Sequence, residues 1–237
     1  MTAPVRARRW RWAIIAVAAA AVVAVAGPFA WIHLVEGRAP APLAVTAGSS
    51  TTAPAAAGAP GAATGLDGAW KVTGGSQAGY RVKEVLFGQD TEAVGRTTSV
   101  SGQLTIKGAS VTAGSVSVDL TSVQSDKTRR DTQFQTRIMD TSSYPTATFK
   151  LSSPISLGSV PAQGATVSAK ASGQLTLHGT TRDVTVDLSA KRNGATIQVS
   201  GTIPVTFADY DIPNPSFGPA QTEDHGVIEF LLVLSHA

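Results

Sequence analysis

The stretch Gly173-Gln-Leu-Thr-Leu-His-Gly-Thr-Thr-Arg-Asp-Val-Thr-Val-Asp-Leu188 constrains the fold more than any other part of the chain. Leu175 and Leu177 alternate with polar residues, and beyond His178-Gly179-Thr180 the alternation resumes at Val184, Val186 and Leu188. A period of two places successive side chains on opposite faces, so each half reads as a strand with one buried face. Glycine reaches positive φ without a Cβ clash, which suits Gly179 to a tight turn. The segment is expected to be a β-hairpin. The same device occurs earlier, where Ser101-Gly-Gln-Leu-Thr-Ile-Lys-Gly108 leads to Val116-Ser-Val-Asp-Leu120. Similar hairpins in succession point to a sheet built by repetition.

The pattern extends through the second half of the chain. Val100, Gly102, Leu104 and Ile106 share a face, as do Val116, Val118 and Leu120. Phe149, Leu151, Ile155 and Leu157 follow Pro145, then Val167, Ala169 and Ala171, then Ile197, Val199, Gly201 and Ile203. Val227 to Leu234 reads as an apolar closing strand. The one helical candidate is the window from Arg129 to Met139, with Phe134 and Ile138 four apart. Many antiparallel strands in one modest domain make a sandwich or a barrel, and hairpin following hairpin favours an up-and-down barrel of about eight strands. Small residues such as Gly102, Ala171, Gly173 and Gly201 fit the bends of a curving sheet. A barrel of this size either fills its interior or holds one small ligand.

The N-terminal part is of another kind. Arg6, Arg8, Arg9 and Arg11 precede residues 13–35, which contain no Asp, Glu, Lys or Arg. An apolar run of that length spans a bilayer as a helix, and the arginines place residues 1–12 in the cytoplasm. A cleaved signal peptide is the rival, since Ala24-Val25-Ala26 fits a cleavage site and would release a secreted domain. The apolar run continues past it through Phe29, Trp31, Ile32 and Leu34, which favours a retained anchor. Either reading exports the remainder. Residues 36–65, rich in Ala, Pro, Gly, Ser and Thr, read as a disordered linker, and 66–237 as the folded domain.

Removing the four N-terminal arginines from 19 Lys and Arg leaves 15, against 16 Asp and Glu. The exported part is close to neutral, so a nucleic-acid partner is not expected. With no cysteine there are no disulfides, thiol nucleophiles or Cys-ligated metals. No Gly-x-Ser-x-Gly elbow or carboxylate pair nominates a catalytic centre, so no catalytic residue, enzyme activity or cofactor is expected. Glu223, Asp224 and His225 are adjacent but lack metal-ligand spacing, and no metal site is expected. His178 is assigned to a turn. Asp126, Arg129, Arg130 and Asp131 form the densest charge cluster, and their mutual balance suggests ion pairs that pin a loop or short helix. The stretch from Phe207 to Gly218 carries aromatics in a Pro-rich segment, suited to closing one barrel end or covering a ligand.

Several short stretches occur in an order that resembles the YceI-like family. They are Trp70-Lys-Val72, Ser76, Gly79-Tyr-Arg-Val82, Ser125-Asp126 with Arg130-Asp131, Tyr144-Pro-Thr-Ala-Thr-Phe149 and Gly173-Gln-Leu-Thr-Leu-His-Gly-Thr-Thr-Arg182. The anchor, Gly27-Pro28 and the Pro-rich linker resemble an actinobacterial membrane-tethered branch. The resemblance implies a lipocalin-like barrel whose interior takes a polyisoprenoid or similar amphiphile as carrier or reservoir, with no catalytic residues to transfer. On that reading Tyr80, Phe87, Phe134, Phe149, Phe207, Tyr210 and Phe217 are expected to line the interior or its mouth. Many members carry a His after the first strand; here Arg81-Val-Lys-Glu84 stands in that region, so head-group identity does not carry over. The alternative is an envelope interaction module with a filled core and a protein partner.

Overall fold

The computed structural model describes Gly27 and residues 39–45, 66–218 and 220–237. The expected cytoplasmic tail, the anchor (apart from Gly27) and most of the linker lie outside the described residues. Among the described residues no helix is long and apolar enough to cross a membrane.

One antiparallel sheet contains β1 (Gly68–Val72), β2 (Gln77–Leu86), β3 (Gln89–Thr97), β4 (Val100–Lys107), β5 (Ser110–Asp119), β6 (Gln124–Ser125), β7 (Thr146–Leu151), β8 (Ile155–Ser156), β9 (Thr166–Leu177), β10 (Thr180–Asn193), β11 (Thr196–Thr206), β12 (Ala220–Thr222) and β13 (His225–His236). The order β1–β4–β5–β7–β9–β10–β11–β13 closes where β13 pairs back onto β1, from Trp70↔His236 to Val72↔Leu234. Further along, β13 pairs with β2, from Gln77↔Leu231 to Arg81↔Val227. Because β2 also pairs with β3 as β1 pairs with β4, each couple acts as one bent wall strand. The ring therefore has eight wall strands in chain order, the expected up-and-down barrel. Closure removes the long open edge a flat sheet would present.

The β9–β10 hairpin shows how local chemistry sets the wall. Leu177 pairs with Thr180, so the loop is two residues, with φ of +49° at His178 and +77° at Gly179. Positive φ at both positions is type I′ geometry, whose twist matches paired strands. Gly179 meets a second need, because a Cβ there would lie 2.5 Å from Cε1 of Tyr144. The Tyr144 and His178 rings pack at 4.6 Å between centroids, and His178 Nδ1 donates to the Tyr210 carbonyl at 3.1 Å. The Tyr144-Pro145 and Leu177-His178-Gly179 stretches, distant in sequence, meet in one contact.

Between β6 and β7 lies α1 (Thr128–Gln133), which continues into a single π-helical turn, Phe134–Ile138. This is the short helical piece expected from the spacing of Phe134 and Ile138, and it covers one barrel end. A 3₁₀ turn, Phe207–Tyr210, closes part of the same end and buries Phe207 and Tyr210. Thr180 Oγ1 donates to Asp211 Oδ2 at 3.2 Å, and Arg182 Nε to the Asp209 carbonyl at 2.9 Å, stapling that turn to the hairpin. The core has two parts. One, at this end, includes Val82, Phe134, Leu177, Phe207 and Ile212. The other, at the opposite end, centres on Leu66, Trp70, Ile106 and Leu234.

Residues 39–45 depart from the linker expectation. They lie against the outer wall, where Val45 N donates to Ser200 Oγ at 3.2 Å and the Pro40 carbonyl accepts from Arg81 Nη2 at 2.7 Å. The physical reason is that Pro-rich backbone, lacking partners of its own, can be held by side chains of the wall.

Candidate functional site: the barrel interior and its mouth

Strand β2 builds the site. Ala78, Tyr80, Val82, Glu84 and Leu86 all face inward, as a period of two requires, and line a cavity of about 400 Å³. Phe134, Ile138 and Met139 roof it from the helical segment and its C-terminal end, Val123 joins them from just before β6, and Val205, Phe207 and Ile212 wall the other side. Deeper in the barrel a second space of about 140 Å³ is lined by Phe149, Leu175, Phe230 and Leu232 among other apolar residues. The two spaces share Ala78, Val118, Ala147 and Ile228 as walls, so two alanines stand at the waist. The rival expectation of a filled core is not met.

Polar groups are confined to the outer part of this interior. Glu84 is buried on the cavity wall, and Arg130 Nη2 donates to its Oε1 at 3.3 Å. Arg130 Nη1 donates to Asp126 as well. Burial disfavours the Arg130 charge, but Glu84 and Asp126 outweigh it and raise the guanidinium above its ordinary pKa. Beside them the Tyr80 ring stacks on Phe134 at 5.1 Å between centroids. Burial pushes the Tyr80 phenol up, against the opposing effect of Arg130 and with Asp131 and Glu84 adding to the rise, so it stays protonated at neutral pH. Room for that ring depends on Gly95, where a Cβ would lie 2.4 Å from Tyr80 Cε1.

The expected lining residues divide. Tyr80, Phe134, Phe207 and Phe217 line the larger cavity, and Phe149 lines the deeper one. Phe87 lines neither: it is the first residue of the β2–β3 turn at the mouth end, with φ of +51° and 54% exposure. Tyr210 also lines neither, because its 3₁₀ turn tucks it into the core. The charge cluster divides too. Asp126 pairs with Arg130, whereas Asp131 Oδ1 accepts from Ser125 N at 2.7 Å and Ser125 Oγ at 2.6 Å. Arg129 has no carboxylate partner among the described residues; its guanidinium stands 5.0 Å from the Phe217 ring centroid.

A further cluster lies on the outside. Glu229 interrupts the apolar closing strand and is fully buried. Arg96 Nη2 donates to its Oε1 at 2.6 Å and Arg81 Nη2 to its Oε2 at 3.4 Å. Arg81 also pairs with Glu92 at 2.6 Å, and Arg96 Nη2 donates to the Ala41 carbonyl at 2.5 Å. Leu43 N donates to Glu229 at 3.4 Å, completing a seal over the carboxylate. A lone carboxylate inside an apolar strand was the available signal, since a buried charge demands a partner. Elsewhere, His225 lies 3.2 Å from Glu223 and 2.8 Å from Asp224, and its hydrogen bond lowers the Asp224 pKa. Among the described residues no group of three or more His, Cys, Asp or Glu side chains could hold a metal ion.

Fold and interior together define a closed antiparallel β-barrel with an internal apolar cavity and a polar mouth. The chain belongs to the YceI-like family, whose domain model matches residues 70–234. It resembles the solved structure of a polyisoprenoid binding domain from Saccharophagus degradans implicated in plant cell wall breakdown, with 18% identity and a TM-score of 0.58 over 71% of this chain and 98% of that one. BcnA of Burkholderia cenocepacia is similar at 24% identity and a TM-score of 0.50, over 65% of this chain and 95% of that one. At such identities the likeness speaks for the fold alone. No curated protein matches the chain.

Proposed function

We propose that this protein is a membrane-tethered, extracytoplasmic lipid carrier or reservoir that holds a polyisoprenoid or similar amphiphile in its barrel. The carrying observation is a cavity of about 400 Å³ whose charged groups, Glu84 and Arg130 above all, gather at one end while the deeper space is apolar. That volume lies within the range of small-ligand sites, and the division matches a molecule with one polar end and a long tail. The naming of the Saccharophagus degradans domain as polyisoprenoid binding supports the same ligand class. The apolar run at 13–35, with arginines before it, supports the tether and the outward orientation.

Binding rather than catalysis is the reading, because Glu84, Arg130 and Asp126 are engaged with one another and none of them is set against a nucleophile. Burying a tail from water is worth roughly 25 cal/mol per Å². A bilayer offers nearly the same refuge, so transfer between membrane and barrel is close to balanced, as a carrier requires. The test is to isolate the full chain from membranes, wash away loosely held lipid and extract what remains for mass spectrometry. A polyprenyl compound or related amphiphile at near-stoichiometric amount is expected. A folded chain that releases no lipid and takes up no added polyprenyl compound overturns the reading.

A further inference from the structure

Exposed apolar side chains are not scattered evenly over the barrel. Val85, Phe87, Tyr144, Val160 and Phe217 are the large hydrophobic residues most exposed among those described. All but Val160 lie at the mouth end. Phe87 occupies the tip of the β2–β3 hairpin, where β12 pairs Ala220 with Leu86, and Phe217 is bridged to Ala220. Two aromatic rings, exposed by 54% and 46%, therefore flank the opening. Phe87 also holds a φ of +51°, in the left-handed region that glycine or asparagine fills at little cost. A bulky exposed residue kept in that conformation calls for a use of its ring.

The charges beside them are also specific. The guanidinium groups of Arg129 and Arg137 stand 5.0 Å and 5.7 Å from the Phe217 ring centroid. Neither is paired with a carboxylate among the described residues. Arg137 Nη2 donates to the Pro215 carbonyl at 2.8 Å, which fixes it at the rim. Aromatic rings between guanidinium groups match the interfacial layer of a bilayer, where rings enter the acyl boundary and guanidiniums bind phosphates. Neighbouring acids are largely engaged elsewhere: Asp126 by Arg130, Asp131 by Ser125 and Asp140 by Ser142.

The docked segment gives the direction of the tether. Pro40 meets Arg81, Leu43 meets Glu229, and Val45 meets Ser200. In the register of the sheet Arg81 pairs with Val227, and Ser200 with Leu231, so the segment descends the wall away from the mouth. Ala39 is its mouthward end, and only residues 36–38 separate it in sequence from the apolar run at 13–35. Those three residues span at most about 14 Å across their connections. A tether fixed there brings the mouth, rather than the far end, toward the bilayer.

We propose that this rim is a membrane-docking surface, with Phe87 and Phe217 entering the bilayer interface and Arg129 and Arg137 binding lipid phosphates, so that the cavity opens onto the lipid. The purpose, exchange of an amphiphile with the membrane, rests on the carrier reading above. The chain has no cysteine, so single labels are unambiguous. Phe87→Cys, Phe217→Cys and, at the opposite end, Ala109→Cys are each labelled with an environment-sensitive fluorophore in the full chain. The labelled chains are reconstituted into phosphatidylcholine–phosphatidylglycerol vesicles carrying bromine on the acyl chains. Labels at 87 and 217 should lose most of their emission by entering about 5–10 Å into the boundary, and the label at 109 should lose none. Arg129→Gln with Arg137→Gln should restore emission at 217 while the chain still floats with the vesicles. No quenching at 87 and 217, as expected if the rim instead binds a protein, or equal quenching at both barrel ends, overturns the docking surface. Quenching at 87 and 217 in a chain that extracts without lipid sinks the carrier reading and leaves the rim standing. A chain that fails to float with vesicles overturns the tether and the rim together.

Discussion

Strand β2 carries a carboxylate–guanidinium cluster on each of its two faces. Outside, Arg81 and Arg96 grip the fully buried Glu229, and residues 39–45 lie across the group. Inside, Glu84 meets Arg130 on the wall of the larger cavity, beside the stacked pair of Tyr80 and Phe134. The chemistry of the pairs is the same, and their surroundings differ. The outer carboxylate spends its acceptors on two arginines and a backbone amide, so nothing remains to offer a ligand. The inner pair borders open space and shares Arg130 with Asp126. A charge pair sealed by the chain serves to fix the wall and its strap, whereas one beside a cavity sets the polarity of a mouth.

The largest effect expected from breaking this comparison is at Glu229. Glu229→Gln leaves Arg96 without a counter-charge and Arg81 with Glu92 alone, and removing one partner of a buried pair should cost about 3 kcal/mol. For a domain of this size that lowers Tm by roughly 6–12 °C, read by thermal unfolding. Amide exchange at residues 39–45 should rise in the same variant, since Arg81 and Arg96 would no longer be aligned on the Pro40 and Ala41 carbonyls. Unchanged exchange there would mean that the strap is held by something other than the cluster.

A smaller change is expected inside. Glu84→Gln keeps an acceptor for Arg130, which retains Asp126, so the loss should be about 1 kcal/mol. Its larger consequence should be on lipid retained through purification, because the mouth gains net positive charge. A Glu84→Gln destabilisation equal to that of Glu229→Gln would erase the distinction between the two faces.

The smallest effect is alkaline. Burial raises the Tyr80 phenol above its ordinary pKa of 10.0, so the folded chain keeps a proton that the unfolded chain gives up. The stabilisation is full below pH 10 and falls as pH climbs beyond it. Tyr80→Phe should lessen that alkaline loss of stability, measured as urea midpoints across the range. An alkaline profile identical to that of the parent would place the phenol in water.

The two faces also differ in how far the sequence announces them. Alternation along Leu175, Leu177, Val184 and Val186, with glycine at the turn, is a local signal, and the wall it foretells is the wall that forms. The inward set Tyr80 and Val82 follows the same period, and extending that period would have placed Glu84 on the cavity. Phe87 breaks it by preceding Gly88 in a turn, so composition alone misassigns its ring. Glu229 and its arginines are over a hundred residues apart in sequence and meet only because β13 pairs with β2 and β2 with β3. Residues 39–45 carry no periodicity, since their partners are side chains of the wall. The hollow interior is a deficit of volume at residues such as Ala78 and Ala147, and no local pattern encodes a shortage summed around a ring.

The central claim is that the hollow interior takes a lipid tail through the mouth. It is tested most directly by photolabelling the full chain in vesicles with a polyprenyl analogue that carries a diazirine at the far end of its tail. Crosslinks are predicted at Phe149, Leu175, Phe230 and Leu232, the walls of the deeper space. They should vanish in Ala147→Phe, which fills the waist between the two spaces. Crosslinks confined to residues 13–35, or deep crosslinks that survive Ala147→Phe, would contradict the account.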